Sequence, residues 1–208
     1  MTIQYNGANS VTITTKSSSI VIDPYGKSFG NFPKIKQDIV ILTDSESTDV
    51  TSATDDQFII NGPGEYEILN NSVSGIPAQR HVDSDGKNTT IYTIRAENIV
   101  IGVFGHIDPK LTEEQFEEIG VIDVAIIPVG GNGYTLDSEA AAAIIKEIEP
   151  KIVIPVHYNS SSITYPVPQA EVDLFLNELG VSDVQTEEKL KLKDSQLPDT
   201  MTVIKLAE

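Results

Sequence analysis

Residues 123–158 constrain this chain more than any other stretch. Two short apolar runs, Asp123-Val-Ala-Ile-Ile-Pro128 and Lys151-Ile-Val-Ile-Pro-Val-His157, flank a helical pattern. Over 138–149 the residues Ala141, Ile144, Ile145 and Ile148 recur at the spacing of one helix face. Both runs are apolar along their whole length and rich in β-branched residues, as strands buried on two faces are, so the three pieces read as a parallel β-α-β unit. Such crossovers are right-handed, and the loops that follow the strands open on one edge of the sheet. Ligands of α/β proteins bind at that edge. The Gly-rich loop Gly130-Gly-Asn-Gly133 and His157 are therefore expected to share a cleft.

The rest of the chain divides around this unit. Ile3, Tyr5, Val11, Ile13, Ile20 and Ile22 lie on three short runs broken by Asn6-Gly7 and Ser17-Ser18-Ser19, which predicts an antiparallel meander. Its outer edge is open for pairing with a second copy, so an oligomer is an available state. Residues 38–43 predict a buried strand, 58–60 and 66–69 two more, and 90–95 with 99–104 a hairpin turning at Glu97-Asn98. The stretch 76–88 reads as a polar loop. Thr112-Glu-Glu-Gln115 has the form of a capping box, and opens a short helix that Gly120 ends. Pro168 suits a first helical turn before Val172, Phe175, Leu176 and Leu179, with Gly180 closing that helix. Residues 186–199 read as charged surface, and 201–206 as one last strand. One domain over 1–208 accommodates all of this.

Composition removes several function classes. Thirty-one acidic against 14 basic residues give a formal charge of -17, which repels nucleic acid and anionic membrane surfaces. Cysteine is absent, so disulfides and thiolate metal sites are excluded. No apolar run reaches the length of a membrane span, and the first residues lack the pattern of a signal peptide. The expected setting is the cytoplasm, and the expected partner a small-molecule substrate or ligand.

Two groups of residues could carry chemistry. The chain has three histidines, His81, His106 and His157. Two of them leave apolar strands, where side chains converge. Asp44, Glu46 and Asp49 crowd a strand end; such a turn either splays into water or is neutralised by a cation. Taken alone, the acidic turn of so acidic a chain fits the solvated form.

The order of motifs resembles the metallo-β-lactamase superfamily, in particular small metal-dependent hydrolases akin to L-ascorbate-6-phosphate lactonase. The resemblance rests on Gly7-Ala-Asn-Ser10, Ile22-Asp-Pro-Tyr25, residues 38–49, Gly62-Pro-Gly-Glu-Tyr-Glu67, residues 87–105 and residues 123–158. It implies an α/β fold, a four-layer αββα sandwich with the site at the sheet edges. The family's THxHxDH metal motif is replaced here by Thr43-Asp-Ser-Glu-Ser-Thr-Asp49, so Asp44, Glu46 and Asp49 stand where the family has histidine. Ala8 replaces another family histidine. His157 matches the final ligand, His106 falls at the position of the bridging Asp, and His81 falls at or near a loop histidine.

Two readings follow from the resemblance. In one, a rearranged set drawn from Asp44, Glu46, Asp49, His81, His106 and His157 holds one or two divalent ions, zinc, manganese or iron. Metal-bound water would then hydrolyse a small ester, lactone or phosphoester. Asn88 and Tyr158 would brace that site from behind. In the other, no metal is bound, and the chain is a catalytically inactive pseudoenzyme that serves as a binding or scaffold module.

Overall fold

The computed structural model describes residues 1–45, 48–81 and 88–208. Glu46, Ser47 and residues 82–87 lie outside the described residues. The first half forms β1 (Thr2–Gly7), β2 (Ser10–Thr14), β3 (Ser19–Ile22), β4 (Ile39–Leu42), β5 (Phe58–Asn61), β6 (Gly64–Ile68), β7 (Asn71–Gln79), β8 (Asn88–Ala96) and β9 (Ile99–Val103). The second half forms α1 (Glu113–Ile119), β10 (Val124–Pro128), α2 (Ser138–Ile148), β11 (Ile152–Val156) and α3 (Val172–Glu178), then short strands β12 (Thr186–Glu187), β13 (Leu190–Lys191), β14 (Thr202–Val203) and β15 (Lys205–Leu206).

Two mixed sheets build a sandwich of αββα type. One runs in the order β13-β1-β2-β3-β4-β5, the other β14-β11-β10-β9-β8-β7-β6. The expected meander is present: β1, β2 and β3 pair antiparallel, with Ile3, Ile13 and Ile20 in one row across the sheet. Alternation drives the packing, since Ile3, Ile13, Ile20, Ile22, Ile39, Ile41 and Ile60 face the second sheet in a continuous core. β10 and β11 are parallel and buried along their whole lengths, as their composition predicts. Helices cover the outer face of the seven-stranded sheet, α1 against β7 and α2 against β10. The outer face of the six-stranded sheet instead packs Val21, Val40 and Leu42 against Ile35, Phe32, Val50 and Ala53 from loops. Among the described residues no helix is long and apolar enough to cross a membrane.

The helix termini follow local chemistry. Thr112 and Gln115 form the reciprocal capping box, and Asp137 caps α2 by accepting from the Ala140 amide. Four expectations are corrected. Residues 76–79 continue β7, which pairs with β8 from Ser72↔Arg95 to Gln79↔Asn88. Ser72, Ser74, Pro77 and Gln79 take the more open positions, and this polar side hides the strand from a reading of hydropathy. Pro168 lies outside α3, whose N-cap is Glu171. Within 186–199 the alternation of Leu190 and Leu192 inward with lysines outward makes β13 an edge strand, and it covers the meander edge expected to be open. The last strand is split, β14 pairing with β11 and β15 with β12.

Candidate functional site

His157 follows β11 with a left-handed backbone, φ +53°. Its N–H donates to the Ala8 carbonyl at 2.9 Å, so the early Gly7-Ala8 turn and the end of β11 meet. Gly130 permits a second approach. A Cβ there would stand 2.1 Å from the His157 carbonyl oxygen and 2.3 Å from Gln169 Oε1, closer than any side chain tolerates. Gln169 therefore reaches the ring, with Oε1 3.1 Å from His157 Nδ1, while its amide nitrogen donates to the Val167 carbonyl at 2.9 Å. An oxygen facing Nδ1 makes that nitrogen the donor and leaves Nε2 with a lone pair. Nε2 is buried and has no hydrogen-bond partner among the described residues.

His106 arrives from β9 by a similar device. Gly105 lies against Thr43, where a Cβ would fall 2.1 Å from the threonine Oγ1, and this brings the ends of β4 and β9 together. His106 Nδ1 sits 3.1 Å from the Tyr134 carbonyl, contributed by the Gly-rich loop, so its proton too is on Nδ1. The two imidazoles stand edge to face, with ring centroids 4.9 Å apart. Burial pushes the His106 pKa down to about 4, with Asp44 opposing and Arg80 reinforcing the shift. Burial, then proximity to His106, holds His157 well below its usual range. Both rings are neutral at pH 7.

The charged partner in this site is Arg80. Its guanidinium lies 2.9 Å from the Asp44 carboxylate, and the two side chains are only 9% and 4% exposed. Beside them Asp23 is also buried, and accepts from Thr43 N at 2.7 Å and Thr43 Oγ1 at 2.6 Å. Its pKa is raised to about 7, because burial outweighs those hydrogen bonds. A small cavity of about 10 Å³ lies between Ala8, Asn9, Asp23, Tyr25, Phe29, His106 and His157. That is room for about one water molecule. Both polar atoms of the buried Asn9 amide lack a hydrogen-bond partner among the described residues, so the surroundings suit such a water. Phe29 and Tyr25 from the loop after β3 wall it off, and Thr164 donates to the Phe29 carbonyl at 2.8 Å, tying that loop to the strap before α3.

Of the residues singled out from the sequence, Asp44, His106 and His157 belong to this region. His81 donates its backbone N–H to the His106 carbonyl at 2.8 Å. Asp49 serves its own turn: its carboxylate accepts from Thr51 N at 2.8 Å and Thr51 Oγ1 at 2.6 Å, bonds that lower its pKa. Glu46 lies outside the described residues. Asn88 is exposed at the start of β8. Tyr158 stacks on Tyr5 and donates to the Leu206 carbonyl at 3.3 Å, which makes it a packing residue.

A divalent ion fits these donors poorly. Among the described residues no three His, Asp or Glu side chains are placed to hold one. Asp44 already has a cation, and a further positive charge within ~4 Å of a guanidinium is disfavoured by about 4 kcal/mol per unit charge at an effective dielectric near 20. Arg80, Asp23, Asn9 and Gln169 line the site without having been singled out from the sequence as chemical residues. Asn9 and Asp23 stand inside the Gly7-Ala-Asn-Ser10 and Ile22-Asp-Pro-Tyr25 stretches that carry the resemblance, but nothing in those stretches marks either side chain as buried in the site.

A mixed two-sheet sandwich with paired histidines at adjoining strand ends defines the class. The chain belongs to the metallo-β-lactamase superfamily: the model of the beta-lactamase superfamily domain matches residues 2–157. Similar proteins include the UPF0173 metal-dependent hydrolase YtkL of Bacillus subtilis, 27% identical over 89% of this chain and 97% of its own length. A UPF0173 metal-dependent hydrolase of Bacillus velezensis is 26% identical over 88% and 96%. Among solved structures, a metallo-β-lactamase superfamily protein of Thermotoga maritima superposes with a TM-score of 0.78 at 23% identity, covering 99% of this chain and 97% of that one. A metallo hydrolase of Ignicoccus hospitalis gives 0.63 at 20% identity, covering 92% and 99%. The chain is thus a hydrolase-like protein of the metallo-β-lactamase fold, in a branch whose named relatives are metal-dependent hydrolases.

Proposed function

We propose that this chain, as one domain over residues 1–208, is a catalytically inactive member of its superfamily that acts as a binding or scaffold module. The observation that carries the reading is the Asp44–Arg80 pair, 2.9 Å apart and buried beside His106. A guanidinium supplies the positive charge that a metal would bring, but it neither ionises a water molecule nor leaves a coordination position open for substrate. The cavity of about 10 Å³ beside the imidazoles has room for about one water molecule. In this reading the two imidazoles are core residues, each oriented by a carbonyl oxygen. The test is elemental analysis of protein purified without chelator, joined to hydrolysis assays on ester, lactone and phosphodiester substrates with added zinc, manganese or iron(II). Substoichiometric metal and no turnover support the proposal; metal-dependent turnover overturns it.

Metal-dependent hydrolysis is the alternative function. Imidazoles that donate from Nδ1 to an oxygen and present Nε2 are arranged as metal-binding histidines usually are, and the named relatives are metal-dependent hydrolases. A divalent ion and a small-molecule substrate belong to that reading. It predicts an ion in stoichiometric amount that His157→Ala releases.

A further inference from the structure

Among the described residues the two sheets have four outer edges, and three of them are defended against pairing with another chain. β13 carries Lys191 outward, between the exposed Lys189 and Lys193. β6 carries exposed Glu65 and Glu67, and β14 is two residues long. Outward charges and short length are the usual guards of strand edges. The fourth edge, β5, has neither. Its sequence is Phe58-Ile-Ile-Asn61, with Phe58 49% and Ile59 47% exposed. It is the terminus of apolar rows that cross the sheet, Ile20–Ile39–Phe58 and Val21–Val40–Ile59. Phe58 gives its N–H to the Asp38 carbonyl on the β4 side, so by strand alternation Ile59 and Asn61 direct their backbone groups to the open side.

We propose that β5 is a dimerisation edge, at which a second copy of this chain adds its own β5 antiparallel across a two-fold axis through Ile59. The register follows from the faces. An axis perpendicular to the sheet keeps inner residues with inner ones, so Ile59 meets Ile59 of the partner subunit, and Phe58 meets the partner's Ile60. Two main-chain hydrogen bonds then join the Ile59 pair. Charge selects the direction. Asp55 and Asp56, both exposed before the strand, fall opposite the uncharged Pro63 and Gly62 in the antiparallel arrangement, whereas a parallel one would set them against their own copies. The pairing joins two six-stranded sheets into one of twelve strands, and it does not rest on the proposal that the protein is non-catalytic.

Sedimentation velocity of the full chain over a range of concentration and salt tests this. With a charge of -17 on each copy, salt screens the repulsion, so the dimer fraction should rise with concentration and rise again on going from about 0.05 to 0.5 M salt. Ile59→Pro removes the outward N–H together with the isoleucine side chain while leaving the β4 ladder intact, and should weaken association at least tenfold. Ile59→Lys sets two ammonium groups on the axis and should do the same. Both variants should keep the wild-type far-UV spectrum, since the position is half exposed. Val121→Lys, at an exposed apolar residue outside β5, should associate as wild type does. A wild-type monomer at every concentration and salt, or a dimer that survives Ile59→Pro, overturns the proposal.

Discussion

Replacing Arg80 by methionine keeps most of its volume and deletes its charge, leaving the Asp44 carboxylate 4% exposed without the guanidinium 2.9 Å away. Removing one member of a buried ion pair destabilises by about 3–5 kcal/mol, because the remaining charge stays desolvated. At roughly 2–4 °C per kcal/mol for a chain of this size, the melting temperature should fall by about 6–20 °C. Replacing both partners, with Asp44→Asn beside Arg80→Met, removes the stranded charge as well, and buried pairs replaced together are often close to neutral. The double variant should therefore be more stable than Arg80→Met alone, and the coupling energy should exceed about 1 kcal/mol, beyond the range of exposed pairs. Urea unfolding of the wild type, the two single variants and the double variant measures this directly. If Arg80→Met costs less than about 1 kcal/mol and the effects add, the pair is screened by water, and Asp44 is open to other cations.

Three further outcomes are expected. Above pH 6.5 His106 is neutral whether the chain is folded or not; below it the unfolded chain takes up a proton that the folded chain refuses down to about 4, so acid removes stability in that window. The interval from 6.5 to about 4, at ~1.4 kcal/mol per pH unit, amounts to about 3 kcal/mol. Asp23 acts in the opposite sense: held near 7 against 3.8, it withdraws stability as pH rises between those values. Asp23→Asn should hence show a steeper rise of stability from pH 4 to 6.5 than the wild type, and parallel profiles would contradict the assignment. Gly130→Ala should cost several kcal/mol in denaturant unfolding, since its Cβ would lie 2.1 Å from the His157 carbonyl; wild-type stability would refute the close approach. Thr112→Ala should lose about 1 kcal/mol by removing the cap of α1, and no change would show that cap to be idle.

The parts of the fold legible in the sequence are those whose burial is uniform. β10 and β11 are apolar throughout because both faces are covered, and α2 shows its stripe because one face packs inward. β7 was hidden because serine, proline and glutamine occupy its open positions, and its pairing with β8 decides the matter instead. The site was legible in the same partial way. His106 and His157 were visible because each follows an apolar strand, and the structure sets their rings 4.9 Å apart. Arg80 was not, because hydropathy around residue 80 carries no sign that its charge turns inward to Asp44 rather than outward to water. Gln169 was invisible for another reason: it meets His157 only through a strap whose course depends on the bare backbone at Gly130.

The proposed inactivity depends on the Arg80 guanidinium standing where an ion would otherwise bind Asp44. Inductively coupled plasma mass spectrometry of the full chain, expressed in metal-supplemented medium and purified without chelator, tests that most directly. Zinc, manganese and iron should all lie far below one ion per chain, with no change in His157→Ala. One ion per chain in the wild type, lost in His157→Ala, would contradict it.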